Sequence, residues 1–361
     1  MRAGLIIYGS LDTLSGGYLY DRMLVRALLN DGWQVEIFSL PWRDYAQHLG
    51  DNLSRTWRER LRTAAVDVMI QDELNHPSLV WVNRSLAGRV PYRTVSLVHH
   101  LRSSEDHPAL PRAFYRMVER SYLNRVDAVI ANSQTTLASV NALLARPLPS
   151  LVAYPAGDHL PEPPPAARTE SGPLRVLFVG NLIPRKGLHT LLDGLAQAPP
   201  AACQLTVIGR QDADPGYAKE IDARIRRLGA NPPVRLLGRV DDAALAAAYA
   251  SHDLLAVPSY EGYGIVYLEA MRCGLPVLAS TAGAAREIVT HGRDGFLVAP
   301  GDAAAITAIV TRLAAERATV AHLRAAARAR YERQPTWAQS MGAISHWLAE
   351  KTVQTEQAKP T

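Results

Sequence analysis

The segment Asp253-Leu254-Leu255-Ala256-Val257-Pro258-Ser259-Tyr260-Glu261-Gly262-Tyr263-Gly264-Ile265-Val266-Tyr267-Leu268-Glu269-Ala270-Met271 leaves this chain few ways to fold. Its first five residues read as a short buried strand. Pro258, Gly262 and Gly264 end that strand, and the apolar run from Ile265 starts a helix. Strand, glycine loop and helix in that order aim free backbone N–H groups at an anion. The segment also puts one carboxylate, Glu261, in the loop and a second, Glu269, about one turn into the helix. Carboxylates beside an anion site would repel the anion unless they had another duty. The natural one is accepting hydrogen bonds from hydroxyls, as a sugar and a ribose would offer.

The rest of the chain alternates strands with helices. In the first half the strand candidates are Gly4–Tyr8, Gln34–Ser39, Val66–Ile70, Thr94–Val98 and Ala128–Ala131, with helices at Tyr18–Leu29 and Phe114–Leu123. Such alternation implies a parallel sheet with right-handed crossovers. The texture changes from Leu148, and the proline cluster at Pro161–Pro165 makes residues 150–172 the expected interdomain connection. The second half restarts with strands at Leu174–Val179, Gln204–Ile208, Val234–Leu237, Asp253–Val257 and Pro276–Ala279. An alanine-rich helical stretch, Ala303–Arg330, and a helix from Thr336 through Trp347 follow, and Gln354–Thr361 is a polar tail expected to fray. The expected fold is α/β: two tandem Rossmann-like, doubly wound parallel-sheet domains whose strand ends share a cleft. The domains are 1–160 and 161–335, with 336–361 as a terminal helix and tail.

The second domain opens with Phe178-Val179-Gly180-Asn181-Leu182-Ile183-Pro184-Arg185-Lys186-Gly187-Leu188, followed by the helix Thr190–Leu195. A strand ending in glycine, then two adjacent cations and a glycine at a helix start, suits a diphosphate. Arg185 can fork two phosphate oxygens while Lys186 acts as a compact point charge. Further along come Ala270-Met271-Arg272-Cys273-Gly274-Leu275-Pro276-Val277, Ala282-Gly283-Ala284-Ala285-Arg286-Glu287-Ile288 and Gly295-Phe296-Leu297-Val298. This ordered series over residues 174–302 resembles the paired-glutamate signature of the family 4 glycosyltransferases, which have the GT-B fold. Where that family often has an arginine this chain has Asn181, so the duty passes to Arg185.

The resemblance implies a donor site made of Gly180, Asn181, Arg185 and Lys186 for the pyrophosphate, with Gly262, Tyr263, Gly264 and Ile265 presenting backbone to the phosphates or sugar. It implies that Glu269 accepts from the ribose hydroxyls and that Glu261 lies by the transferred sugar. Arg239 and Val240, after the strand Val234–Leu237, are the candidates for base recognition. In the first domain Ser15-Gly16-Gly17-Tyr18 links the first strand to the first helix where the family has a glycine loop, so Gly17 joins the donor set. It is not a dinucleotide fingerprint, which sets an NAD oxidoreductase aside. His99, and less well His100, aligns with a histidine near the donor sugar, and Asp72 and Glu73 stand where an acceptor could meet them. In the GT-B fold the last helix returns to the first domain.

The implied activity is that of a retaining hexosyltransferase that uses a UDP- or GDP-linked sugar and a glycan, glycolipid or small-molecule acceptor, as in polysaccharide biosynthesis. Lys186, Arg185, Glu261 and His99 carry the catalytic roles. GT-B enzymes generally need no metal, and no further cofactor is expected; the nucleotide-sugar is a co-substrate. The alternatives are an epimerase or hydrolase of the same fold, and a non-catalytic nucleotide-sugar-binding protein. The sensor would be marked by loss of the lysine or the glutamates, and both are kept.

Bulk properties fit. A length of 361 residues suits two domains, each able to bury its own core. Only four of the 39 basic residues are lysines, and residues 1–165 hold 17 arginines against 16 acids, so the net +5 forms no dense tract for nucleic acid. Cys203 and Cys273 fit no metal spacing and read as buried core thiols. The opening residues read as a first strand, and no apolar run reaches membrane-span length. A cytoplasmic protein is therefore expected, with peripheral contact at the inner membrane face left open by the arginine cluster Arg55, Arg58, Arg60 and Arg62 around Trp57.

Overall fold

The computed structural model describes residues 1–163 and 172–357. Residues 164–171 of the proline-rich connection and 358–361 of the polar tail lie outside the described residues. Two compact units form, Met1–Pro155 with Trp337–Thr361, and Ala156–Thr336.

The first unit runs β1 (Arg2–Tyr8), α1 (Gly16–Asn30), β2 (Gln34–Leu40), α2 (Tyr45–Gly50), α3 (Arg55–Arg62), β3 (Val68–Asp72), α4 (His76–Leu86), β4 (Arg93–Val98), α5 (Ala109–Leu123), β5 (Ala128–Ala131), α6 (Gln134–Asn141) and β6 (Ser150–Val152). The second runs β7 (Leu174–Val179), α7 (Leu188–Leu195), β8 (Cys203–Ile208), α8 (Pro215–Leu228), β9 (Val234–Gly238), α9 (Asp242–Ser251), β10 (Leu254–Val257), α10 (Ile265–Arg272), β11 (Val277–Ser280), β12 (Gly295–Val298), α11 (Ala303–Ala315) and α12 (Arg317–Tyr331). The closing helix α13 (Trp337–Gln357) belongs to the first unit, where it packs on α1 and sets the Trp337 ring edge-on to Tyr20 at 5.6 Å.

Each unit holds one six-stranded sheet with every pairing parallel, in the orders β2-β1-β3-β4-β5-β6 and β12-β11-β10-β7-β8-β9. The reversals of strand order fall between β1 and β3 and between β7 and β10. In open parallel sheets ligands bind beyond the carboxyl ends of the strands at such a reversal, because the two flanking loops diverge there. The steps β3 to β6 all run one way, so right-handed crossovers put α4, α5 and α6 on one face of the first sheet and α1 on the other. The core under α3–α6 joins Phe38, Trp57, Leu79, Val118, Tyr122 and Val140.

Several sequence expectations need correction. The third strand is Val68–Asp72, two residues later than the apolar run Val66–Ile70, because strand pairing with β1 and β4 extends through the polar, buried Gln71 and Asp72. The fourth and fifth strands of the second half begin one residue late, at Leu254 and Val277. The edge strands β6 and β12 were not foreseen as strands. The stretch Ala303–Arg330 is two helices broken at Glu316, whose backbone leaves helical angles (φ −112°, ψ 69°). Cys203 is buried, its thiol pushed up to about 11 by that burial, whereas Cys273 is only half-buried. The tail expected to fray from Gln354 stays helical to Gln357.

Candidate active site

In the second unit, the loops after β7 and β10, the two strands at the reversal, carry the cations and the loop carboxylate. The Lys186 ammonium donates to Glu261 Oε1, and Ser259 Oγ donates to the same oxygen at 2.5 Å. Arg185 Nη1 lies 4.0 Å from Glu261 Oε2 and donates to the Tyr260 carbonyl at 2.7 Å. Burial would raise the Glu261 carboxyl, but the charges of Lys186 and Arg185 and the hydrogen bonds from Lys186 and Ser259 outweigh it and hold the group down at about 2. Glu261 is thus an ionised, tightly held carboxylate. Gly180, at the end of β7, sits against the Lys186 stem: a Cβ there would come within 3.3 Å of its Cδ.

The loop is shaped by two glycines. Gly264, with φ 113°, turns the chain into α10 as its N-cap, an angle that side chains rarely adopt. The N-cap residue offers no side-chain acceptor, so the first-turn N–H groups of Ile265 and Val266 have no side-chain cap, while Tyr267 N donates to the Gly264 carbonyl at 2.9 Å. Gly283, with φ 77°, lies against the Glu261 backbone, where a Cβ would meet the Glu261 carbonyl oxygen at 2.0 Å, and Ala284 N donates to that carbonyl at 3.0 Å. The backbone around Glu261 is therefore clamped from the β11 side.

Glu269, five residues into α10, is buried at 8% exposure. Tyr249 Oη donates to its Oε2 at 2.5 Å, and His159 Nε2 stands 3.2 Å from its Oε1. Burial, with the Glu269 charge, raises the Tyr249 hydroxyl well above its ordinary value and keeps it a donor. The two glutamates differ in kind: one is tied to cations, the other to a phenol and an imidazole. Asn181 holds the neighbouring turn, with Oδ1 accepting from Arg210 N at 3.4 Å. Arg239 and Val240 follow β9 at the far edge of the sheet, two strands from β7.

In the first unit, Gly17 lies in the first turn of α1 against the His99 ring, whose Cδ2 would be 3.3 Å from a Cβ at that position. His99 directly follows β4, with Nε2 3.3 Å from Asp21 Oδ1 and its carbonyl accepting from Asn132 Nδ2 at 2.7 Å. Burial alone would lower the His99 imidazole, but the Asp21 hydrogen bond and the charges of Asp72 and Asp21 raise it. Asp72 closes β3 and Glu73 follows it, both buried. Burial and the neighbouring Asp21 charge push Asp72 up, and burial pushes Glu73 up to about 7. His100 turns away to Glu105, 2.9 Å from its Oε1. Ligand atoms of Asp21, Asp72 and His99, and of Glu73, His76 and Glu119, lie within 4.8 Å of one another. In the second group Tyr45 Oη meets His76 Nε2 at 2.9 Å, and Ser103 bonds both Glu119 oxygens, so those atoms are already engaged.

Of the sequence-derived residues, the structure brings Gly180, Arg185, Lys186 and Glu261 together, with Gly262, Tyr263, Gly264, Ile265 and Glu269 on the same loop and helix. It brings Gly17 and His99 together in the first unit and leaves His100 engaged elsewhere. Sequence reasoning missed Asp21, His159, Tyr249, Ser259 and Gly283 as partners. Ser259 and Gly283 lay within motifs already singled out; Tyr249, in an alanine-rich helix, gave no signal.

Two parallel α/β units of this topology, each with polar residues at a strand reversal, define the GT-B fold of glycosyltransferases. Residues 173–316 match the family described as "Glycosyl transferases group 1". That match lies within the second unit and supports the GT-B, family 4 resemblance that the motif order implied. It is 40% identical over 136 residues (36% of this chain, 34% of the relative) to the phosphatidyl-myo-inositol mannosyltransferase of Mycobacterium leprae. It is 29% identical over 241 residues (63% and 57%) to the D-inositol 3-phosphate glycosyltransferase of Xylanimonas cellulosilytica. The chain thus spans between about a third and three fifths of the length of these two relatives. Among solved structures, sucrose-phosphate synthase from Thermosynechococcus elongatus superposes with a TM-score of 0.81 at 23% identity, covering 99% of this chain and 100% of that one. Anabaena HepE, in complex with UDP and glucose, gives 0.77 at 23% identity, covering 97% and 100%.

Proposed function

We propose that this chain transfers a hexose from a UDP- or GDP-linked sugar to a hydroxyl of a glycan, glycolipid or small-molecule acceptor, with retention of the anomeric configuration. The observation that carries the reading is the convergence of Lys186 and Arg185 on Glu261 at the β7–β10 reversal, beside the uncapped start of α10. Negative charge grows on the diphosphate as the sugar leaves, and fixed cations and N–H donors that need not reorganise are what stabilise it. Lys186 and Arg185 supply the cations and α10 the N–H groups. Glu269, its two oxygens oriented by Tyr249 and His159, accepts from the ribose hydroxyls. Glu261 positions Lys186 and faces the sugar. His99, raised by Asp21, offers a proton-bearing ring to the sugar or acceptor in the first unit. The departing phosphate takes the acceptor proton, so neither a side-chain base nor a metal is required. The acceptor class includes lipid-linked sugars, and with it goes peripheral contact with a membrane surface, since no helix among the described residues is long and apolar enough to cross one.

Calorimetry with UDP, GDP and ADP, without added metal, on the parent protein and Lys186→Ala tests this. Binding of one nucleotide that weakens in the variant supports the reading and names the base. Binding of none of the three overturns it. Following UDP or GDP release from the matching sugar nucleotide, with and without candidate acceptors, then separates transfer from hydrolysis.

A further inference from the structure

Helix α5 has three sides. Its buried side carries Val118, Tyr122 and Leu123. A second side carries Leu110, Phe114 and Met117, spaced i, i+4, i+7, which are 85%, 42% and 60% exposed. This spacing makes one apolar stripe, and it faces away from the core. Between the two sides runs a row at i, i+4, i+8, Arg112, Arg116 and Arg120, all exposed. None of the three arginines pairs with a carboxylate among the described residues, and the one acid of the helix, Glu119, is buried and bonded to Ser103. The neighbouring α4, on the same face of the sheet, adds Trp81 at 53% exposure, with Arg84 one turn further on.

We propose that the outer face of α5 docks this protein on an anionic lipid surface, the apolar stripe entering the headgroup boundary and the arginine row meeting lipid phosphates. An apolar stripe flanked by unpaired cations, with no exposed acid on the helix itself and Asp106 the exposed acid of the loop before it, is a composition that such surfaces attract, and large, flexible or aromatic side chains are the ones that enter them. The arginine-rich helix α3, which the sequence singled out for this role, buries its apolar residues Trp57 and Leu61, and three of its four arginines have partners within the fold. Trp57 is 5% exposed in the core, Arg60 lies over the Phe38 ring, Arg62 pairs with Glu59, and Arg58 donates to the Asn52 carbonyl. Position gives α5 its use. As the crossover from β4 to β5 it starts at the carboxyl edge of the sheet, so Leu110 and Phe114 lie on the edge that carries His99. The β4–α5 loop is tied to the helix by Arg102 stacked over Tyr115 at 4.7 Å and by His107 set against the same ring at 5.0 Å. A lipid-linked acceptor met by this face would be delivered to that edge.

This inference rests on the membrane contact proposed above and not on the donor chemistry. The test is co-sedimentation of the full chain with vesicles of phosphatidylcholine alone or mixed with phosphatidylglycerol, at low and high salt. Binding to the anionic vesicles is expected to be roughly a hundredfold tighter at low salt, three arginines each contributing a factor of about five. Replacing Arg112, Arg116 and Arg120 together by Gln should remove that preference. Replacing Leu110, Phe114 and Met117 together by Ser should abolish binding, while Arg55→Gln with Arg62→Gln should leave it intact. Both α5 triples alter only exposed side chains, and their nucleotide binding should match the parent. The proposal is overturned if the parent stays in the supernatant with anionic vesicles, if the α5 triples bind like the parent, or if sedimentation velocity shows a dimer that the triples dissolve while vesicles are ignored. A failed nucleotide titration with intact vesicle binding would sink the donor reading and leave this one standing.

Discussion

Asp21, fully buried on α1, holds His99 from across the first sheet, its Oδ1 3.3 Å from the ring Nε2. The bond runs between residues 78 apart in sequence, and the other carboxylate oxygen of Asp21 is buried without a hydrogen-bond partner. A buried carboxylate so placed favours the charged imidazole. Asp21→Asn should therefore lower the His99 titration midpoint followed by NMR of the ring. The sign for stability follows: a raised histidine contributes fully below its ordinary value and loses that contribution as pH rises through the folded one. The melting temperature of Asp21→Asn should fall most at pH near 5, by the equivalent of about 1–3 kcal/mol, and least at pH near 9. A loss that does not vary with pH would mean Asp21 only fills space.

Asp72 behaves oppositely. Burial and Asp21 push its carboxyl up to about 8, so each ionisation above the ordinary carboxylate range costs the folded state. The parent should lose stability between pH 4 and 8 through this group. Asp72→Asn, which keeps an oxygen for the Leu74 N–H bonded at 2.9 Å, should melt higher than the parent at alkaline pH and nearly equal to it at pH 4. Thermal melts across that range decide it.

The second unit was far more legible than the first. The strand, glycine loop and helix at 254–272, and the cations after β7, are local patterns: proline and glycine punctuate them, and the apolar period of the helix begins where the loop stops. What sequence could not give was set by packing over long separations. Asp21 reads as one more polar residue of an amphipathic helix until β4 brings His99 to it. The strand β3 runs on past its apolar run because Gln71 and Asp72 are polar yet paired in the sheet. The edge strand β6, of three residues, is too short for a period-2 pattern to show, and β12, Gly295–Val298, opens on a glycine, a residue depleted in strands.

The tie between Lys186 and Glu261 makes two substitutions separable. Lys186→Ala removes the point charge meant for the diphosphate, and turnover should fall by about 10²–10³ with weaker nucleotide binding. Glu261→Gln leaves Lys186 in place but frees it. The carboxyl of Glu261 is depressed to about 2, so its stabilisation is present above the ordinary value of 4.5 and disappears as pH falls to about 2. That difference corresponds to something on the order of 3 kcal/mol. Glu261→Gln should thus melt below the parent at pH 7 and converge with it in acid, while nucleotide affinity is retained. Equal melts at pH 7 would show that the pair contributes nothing to the fold.

Gly283→Ala should act on the site without touching a charge. The new methyl would sit 2.0 Å from the Glu261 carbonyl oxygen at a φ of 77° that alanine avoids. Relief requires the 259–264 loop to move, so nucleotide binding should weaken by roughly tenfold or more, about 1.4 kcal/mol. Gly292→Ala, at a similar φ but with open space around it, is the control. Equal nucleotide affinity in the two variants would show that the clamp does not position the loop.

The same strand that leads to Glu261 is anchored at its other end by Asp253. Arg175, Arg317 and Arg324 donate to its carboxylate at 3.0, 2.9 and 2.5 Å, binding β7, β10 and α12 together. Burial opposes ionisation, but the hydrogen bonds and charges of these arginines win and hold the group at about 2. Removing the carboxylate leaves three largely buried guanidinium groups without their counter-ion, a change that commonly costs about 3–5 kcal/mol. Asp253→Asn should therefore lower the melting temperature sharply at pH 7, with the gap to the parent closing as pH falls toward 2. Because Asp253 precedes the amino end of β10 and the nucleotide site lies beyond its carboxyl end, calorimetry well below the melting point should find unchanged nucleotide affinity. A weakened affinity in the folded variant would mean that the arginine cluster shapes the site and not only the fold.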